Sequence, residues 1–79
     1  MTALLQRSTE IRRGSVTAKP ILPSLWRVVG PDGAVRGHIN TVAARDGERF
    51  AAKLILAGGI RTMFLGEFWQ LEDALDCFG

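Results

Sequence analysis

The sequence predicts an α+β domain in which a small antiparallel β-meander of three to four strands packs on one C-terminal α-helix. Between residues 25 and 65, short segments of alternating hydrophobic and polar residues are separated by glycine-containing reversals, as in consecutive antiparallel strands. Residues 70–78 instead place hydrophobic side chains three and four positions apart, which is the period of an amphipathic helix. A chain of 79 residues forms one domain of this kind.

Residues 1–24 are predicted to form a basic, flexible N-terminal arm, and residues 25–79 the folded domain. Serine, threonine, arginine and two prolines are frequent in the arm, and neither a strand period nor a helix period persists in it. Its net charge is +3, whereas residues 25–79 carry −1. The basic side chains of the arm that we expect to contact a ligand are Arg7, Arg12, Arg13 and Lys19.

Four strands are predicted in the domain, and each reversal between them has a turn-forming sequence. The predicted strands cover about 25–29, 34–42, 48–56 and 61–65. The first reversal is Gly30-Pro31-Asp32-Gly33, in which proline and glycine suit successive positions of a β-turn. Asp46-Gly47 and Gly58-Gly59 mark the next two reversals. Gly66, just after the fourth strand, is predicted to be a β-bulge or a point of close approach before Phe68.

The predicted helix, at about 70–78, has one hydrophobic face formed by Leu71, Ala74, Leu75 and Phe78. A helix this short is unstable alone, so this face must dock on the sheet. Alternation within the strands predicts the layer that receives it. That layer comprises Trp26, Val28, Val35, Gly37, Ile39, Phe50, Ala52, Leu54, Leu56, Met63 and Leu65.

The opposite face of the predicted sheet is rich in basic and polar side chains. Of the ten residues that alternation assigns to it, five are arginine, lysine or histidine, and none is acidic. The acidic residues are expected in turns and on the outer side of the helix. Such segregation of charge favours contacts with phosphates. The residues that we expect to contact DNA are Arg27, Arg36, His38, Asn40, Arg49, Lys53, Thr62 and Phe64.

Part of this pattern, at about residues 47–76, resembles the Apetala-type DNA-binding domain. The matching residues are Phe50-Ala51-Ala52 with the aliphatic residue that follows Lys53, then Leu65-Gly66-Glu67-Phe68, then the helical Glu72-Asp73-Ala74. Those domains, like the N-terminal domains of some integrases, use a three-stranded antiparallel sheet backed by a helix and lay the sheet in the major groove. The resemblance implies the same fold, and double-stranded DNA as the partner.

Two functional hypotheses follow. The first is a small accessory domain that binds double-stranded DNA by docking its basic sheet face in a groove, in recombination, repair or regulation. The alternative is a protein-interaction or homo-oligomerising adaptor without nucleic-acid binding, whose partner would cover Val29, Ile55 and Phe64. Ile55 and Thr62 stand where the resembling family has arginines, so both hypotheses stay open.

Neither catalysis nor a bound cofactor is expected. His38 is the only histidine and Cys77 the only cysteine, so neither a metal site with several ligands nor an internal disulfide is predicted. Cys77 lies near helix carboxylates, which disfavour a thiolate, and is expected to be half-buried. The sequence contains no tyrosine and no phosphate-binding glycine loop. The lack of a secretory signal and of a membrane-spanning stretch predicts a cytoplasmic protein without membrane contact.

Overall fold

A six-stranded antiparallel sheet and one short helix make up residues 10–56 and 58–78, the part of the chain that the structure, a computed structural model, describes. The strands are neighbours in sequence order, so each adjacent pair is a hairpin. They are β1 (Ile11–Arg13), β2 (Val16–Leu22), β3 (Leu25–Val29), β4 (Val35–Ala44), β5 (Gly47–Ile55) and β6 (Thr62–Phe68), followed by α1 (Leu71–Asp76). The α+β class and the antiparallel meander are confirmed, but the sheet has six strands rather than three to four.

The two additional strands lie in the segment predicted to be a flexible arm. β1 and β2 form a hairpin around Gly14, whose φ of 60° favours glycine. Val16 and Ala18 of β2 are buried in the core. The prediction that no strand precedes Leu25 is therefore wrong for residues 11–22. The alternation of hydrophobic and polar residues in β2 is short. It is interrupted by Pro20, and a proline within such a segment argues against a strand.

The core lies between α1 and one face of the sheet, as the two hydrophobic patterns predict. The residues buried together are Val16, Ala18, Trp26, Val28, Ile39, Ala52, Leu71, Ala74, Leu75 and Phe78, with Ile11, Phe50, Leu54, Leu65 and Phe68 packed against them. Gly37 leaves room for the Phe78 ring, since a Cβ there would lie 2.6 Å from Cε2 of that ring. Val35 and Met63 were predicted for this layer but are exposed.

The sheet bends around the helix. α1 contacts β1 and β2 at one edge of the sheet, and β5 and β6 at the other. In a flat sheet, five strand spacings would separate the two edges by roughly 24 Å. A helix of six residues is only about 9 Å long. The outer strands must therefore curve toward α1, and the face of the sheet turned away from the helix is convex.

A β-bulge in β6 decides which of its side chains reach the convex face. Ala52 pairs with Gly66 and Lys53 pairs with Phe64, so an extra residue lies between them on β6. The bulge is next to Gly66, as predicted, and the φ of this glycine is 145°. Because of the bulge, Phe64 and Glu67 both face the convex side although they are three residues apart.

Candidate nucleic-acid interface

A row of basic side chains crosses the convex face of the sheet. In the strand register, Lys19 lies opposite Arg27, Arg27 opposite His38, and His38 opposite Lys53. Directly opposite residues on antiparallel strands have Cβ atoms about 4.5–5.5 Å apart. Phe64 extends the same row onto β6, opposite Lys53. We call Lys19, Arg27, His38 and Lys53 the basic row.

In the part of the chain that the structure describes, the charge of the basic row is not compensated by an ion pair. Lys19, Arg27 and Lys53 are exposed, and His38 is half-buried. Among the residues that the structure describes, no ion pair includes a member of the row. Like charges directly opposite each other destabilise a sheet, and Lys19 and Arg27 are such a pair. An anion bound along the row would relieve this repulsion.

The basic row ends at an open groove at the β1 edge of the sheet. The groove has a volume of about 430 Å³, and its lining includes Arg12 and Lys19 as well as the acidic Glu10. Arg12 pairs with Thr17, which lies on the same face as Lys19. The sequence assigned both basic residues to a flexible arm. The structure instead brings them to the convex face of the sheet.

Arg49 has acidic neighbours, unlike the basic row. Its guanidinium lies 3.9 Å from a carboxylate oxygen of Asp46 and 3.8 Å from one of Glu67. It also stacks on Trp69, with 4.4 Å from Cζ to the ring centroid. Glu67 lies opposite Ala51, on the convex face. The prediction that this face carries no acid is therefore wrong, because β6 continues past its predicted end and its bulge turns Glu67 outward.

The other residues predicted for the DNA contact lie on the convex face or at its border. Asn40 is half-buried beside the basic row, and Thr62 is exposed on β6. Arg36 is the extra residue at a bulge in β4. Its guanidinium covers Gly30, where an added Cβ would lie 2.7 Å from the Arg36 Nε. Arg36 therefore borders the row at the turn between β3 and β4.

Arg13 faces the helix, and its charge is already paired. It donates two hydrogen bonds to the Asp76 carboxylate, at 2.9 and 3.1 Å, across 63 residues of sequence. The hydrogen bond and the charge of Asp76 raise the pKa of Arg13. Arg7, the remaining basic residue of the predicted arm, lies outside the described residues.

No family model, curated protein or solved structure matches this chain. The resemblance to the Apetala-type domain therefore stays a prediction. The helix in the described part of the chain is not long and apolar enough to cross a membrane.

Two further kinds of site concern the titratable side chains: a metal site and a reactive cysteine. Within residues 10–56 and 58–78, no group of three or more His, Cys, Asp or Glu side chains is arranged to hold a metal ion. Cys77 is exposed rather than half-buried as expected. Desolvation raises the pKa of its thiol, and the charges of Asp76 and Asp73 raise it further. The thiol is therefore less nucleophilic at neutral pH than a free cysteine.

Proposed function

We propose that this protein binds double-stranded DNA by docking the convex face of its sheet in the major groove. The basic row is the observation that carries the proposal. A polar outer face is ordinary for an antiparallel sheet. A row of three cations and a histidine across four adjacent strands is different, because Lys19 and Arg27 lie opposite each other and repel until an anion binds. Duplex DNA supplies a regular array of such anions.

The width of the basic row supports this ligand. Lys19 and Lys53 are three strand spacings apart, which is roughly 14 Å. The major groove of B-DNA is about 12 Å wide and admits β-strands. With the row laid across the groove, Lys19 and Lys53 reach phosphates on its two walls. Arg27 and His38, in the middle of the row, then face the base edges.

The side chains in the middle of the face suit base recognition. Arginine pairs with the O6 and N7 atoms of guanine, and asparagine with the N6 and N7 atoms of adenine. Arg27 and Asn40 lie on neighbouring strands within this face. The convex curvature of the sheet favours entry into a groove. The binding mode therefore combines phosphate contacts at the ends of the row with base contacts at its centre.

The competing function is a protein-interaction or homo-oligomerising adaptor. Two exposed aromatic residues on the convex face, Phe64 and Trp69, favour it, because aromatic residues often anchor protein interfaces. They are separated by charged residues of β5, however, and a hydrophobic partner would have to desolvate Lys53 and Arg49. The charge distribution therefore favours DNA over an apolar protein partner.

The test is the salt dependence of binding to a labelled duplex, measured by fluorescence anisotropy. Lys19→Ala and Lys53→Ala should each reduce the slope of log K against log salt by about 0.9, the value for one phosphate contact. Arg13→Ala is the matched control, since it removes the same charge from the helix side. It should leave the slope unchanged.

Arg27→Ala tests the docking orientation. If Arg27 faces base edges, its loss weakens binding by about 1–3 kcal/mol at the preferred sequence and much less elsewhere. A uniform loss on all sequences would limit Arg27 to a phosphate contact and would contradict groove docking. The DNA hypothesis fails if no duplex binds at low salt, or if Arg13→Ala changes the slope as much as Lys53→Ala.

A further inference from the structure

Two exposed aromatic side chains, one in β6 and one directly after it, lie on the convex face. Phe64 is 59% exposed and lies opposite Lys53. Trp69 is 51% exposed, and its ring lies over Arg49 and near Gly47, both on β5. The core of the domain is closed without either ring. Large exposed aromatic residues that the fold does not require indicate a binding surface.

We propose that this aromatic margin, Phe64 and Trp69 with their basic neighbours Lys53 and Arg49, stacks the bases of unpaired DNA. The preferred ligand is then a duplex with a single-stranded extension rather than a blunt duplex. The inference rests on the proposed function, because the duplex part occupies the basic row. Bases of any sequence stack on aromatic rings, and flanking cations hold the backbone between them.

The environment of Trp69 supports base stacking in particular. The Arg49 guanidinium lies over the indole, 4.4 Å from the ring centroid, and Trp69 is still 51% exposed, so part of its surface is accessible to a base. Carboxylate oxygens of Asp46 and Glu67 lie 3.9 and 3.8 Å from the same guanidinium. Glu67 is acidic and lies between the two aromatic residues, where it repels phosphates. The bases, rather than the backbone, should therefore face this part of the sheet.

The spacing of the two rings indicates how many nucleotides they engage. Lys53, beside Phe64, and Arg49, beside Trp69, are four residues apart on β5, which is about 14 Å of strand. Successive stacked bases are about 3.4 Å apart along the helix axis, so the two rings would contact bases roughly four steps apart. An extension of about six nucleotides reaches both rings, whereas one of about two nucleotides reaches only the nearer.

The test compares three ligands on the full chain: a blunt duplex and the same duplex carrying an extension of about two or about six nucleotides. The longer extension should bind about tenfold or more tightly than the blunt duplex, and the shorter one should fall between them. Trp69→Ala should remove part of this gain and leave blunt-duplex binding unchanged. Phe64→Ala should also reduce the ratio of extended-duplex to blunt-duplex affinity, and this ratio is the readout because Phe64 adjoins the basic row. Ile60→Ala is the matched control, since Ile60 is 90% exposed and lies in the turn before β6.

Tryptophan fluorescence provides a second readout. The two tryptophans differ in burial, since Trp26 belongs to the core and Trp69 is exposed. Quenching that appears with the extension and not with the blunt duplex must therefore come from Trp69. Trp69→Phe should keep the binding gain, because it retains an aromatic ring, and lose the quenching.

The outcomes separate this inference from the proposed function. If all three ligands bind equally with the salt slope of the basic row, the stacking surface is refuted and duplex binding stands. If no DNA binds, both proposals are refuted. Self-association that Phe64→Ala abolishes, in a chain that shows no gain from the extension, would assign the aromatic margin to a protein contact and overturn the inference.

Discussion

The two faces of the sheet come from the same strands, yet different constraints act on them. On the concave face, the fully buried Ala18 and Ala52 of the sheet meet the fully buried Ala74 of α1, and Ile39 packs with Leu75 of α1 without exposed surface. Along the basic row of the convex face, neighbouring strands repeat one sign of charge instead of pairing opposite signs. Strand alternation links the two faces, because a slip of one residue would exchange them. The packing of the concave face therefore holds the basic row in register.

The largest expected effect in this comparison is the loss of a core side chain. Leu75 has no exposed surface, so Leu75→Ala should lower the free energy of unfolding by about 2–5 kcal/mol. That is a large share of the stability of a small domain. Leu54→Ala, at a partly buried position, should fall toward the lower end of this range. Urea unfolding measures both, and losses of only a few tenths would mean that the helix docks on the other face.

A smaller loss is expected at Gly37, where the concave face has no room for a side chain. A Cβ there would meet the Phe78 ring and the carbonyl oxygen of Lys53, so Gly37→Ala should destabilise by about 1–3 kcal/mol. The φ of Gly37 is not positive, so steric overlap is the cause rather than backbone strain. Thermal unfolding of Gly37→Ala alone and with Phe78→Leu checks this. The second substitution should recover part of the loss.

The smallest effect on stability is expected on the convex face. Glu67→Gln removes one partner of Arg49 in a half-exposed ion pair, so stability should change by no more than about 1 kcal/mol. Affinity for duplex DNA should increase, because an acidic side chain on the convex face is neutralised. Asp73→Asn is the control, since it makes the same charge change on the helix. An equal gain in affinity from both variants would indicate a general charge effect rather than a contact face.

Much of the fold follows from the sequence because hydrophobic period and turn chemistry agree. The strand predicted at Leu25–Val29 has the same bounds in the structure, and the helical stripe that includes Leu71 and Phe78 is buried as predicted. β1 and β2 were not predicted, because β1 has only three residues and β2 contains a proline. Neither strand therefore has a clear hydrophobic period. Their place in the sheet depends on pairing with β3, a tertiary interaction that local patterns do not encode.

For the candidate site, too, the sequence predicted the residues in strands with clear alternation and missed those in the other strands. Arg27, His38 and Lys53 lie in strands with clear alternation, so their common face follows from the sequence. Lys19 lies just before Pro20 in a strand that alternation did not reveal. Glu67 was misplaced because a bulge changes which residues face outward, and a glycine indicates such a bulge without giving its direction. Which residues of the basic row lie opposite each other depends on the strand register, and only the structure gives that register.

The sequence-ordered sheet also has a consequence for how the chain folds. Each strand pairs with its neighbour in sequence, so sheet formation closes only short loops and contact order is low for a β-rich protein. The β4–β5 hairpin is the longest, with eight paired positions, and we expect it to form early. Contact between α1 and β1, marked by Arg13 and Asp76, spans nearly the whole described chain and should form last. Substitutions in β4–β5 should then slow folding, whereas substitutions in α1 should mainly accelerate unfolding.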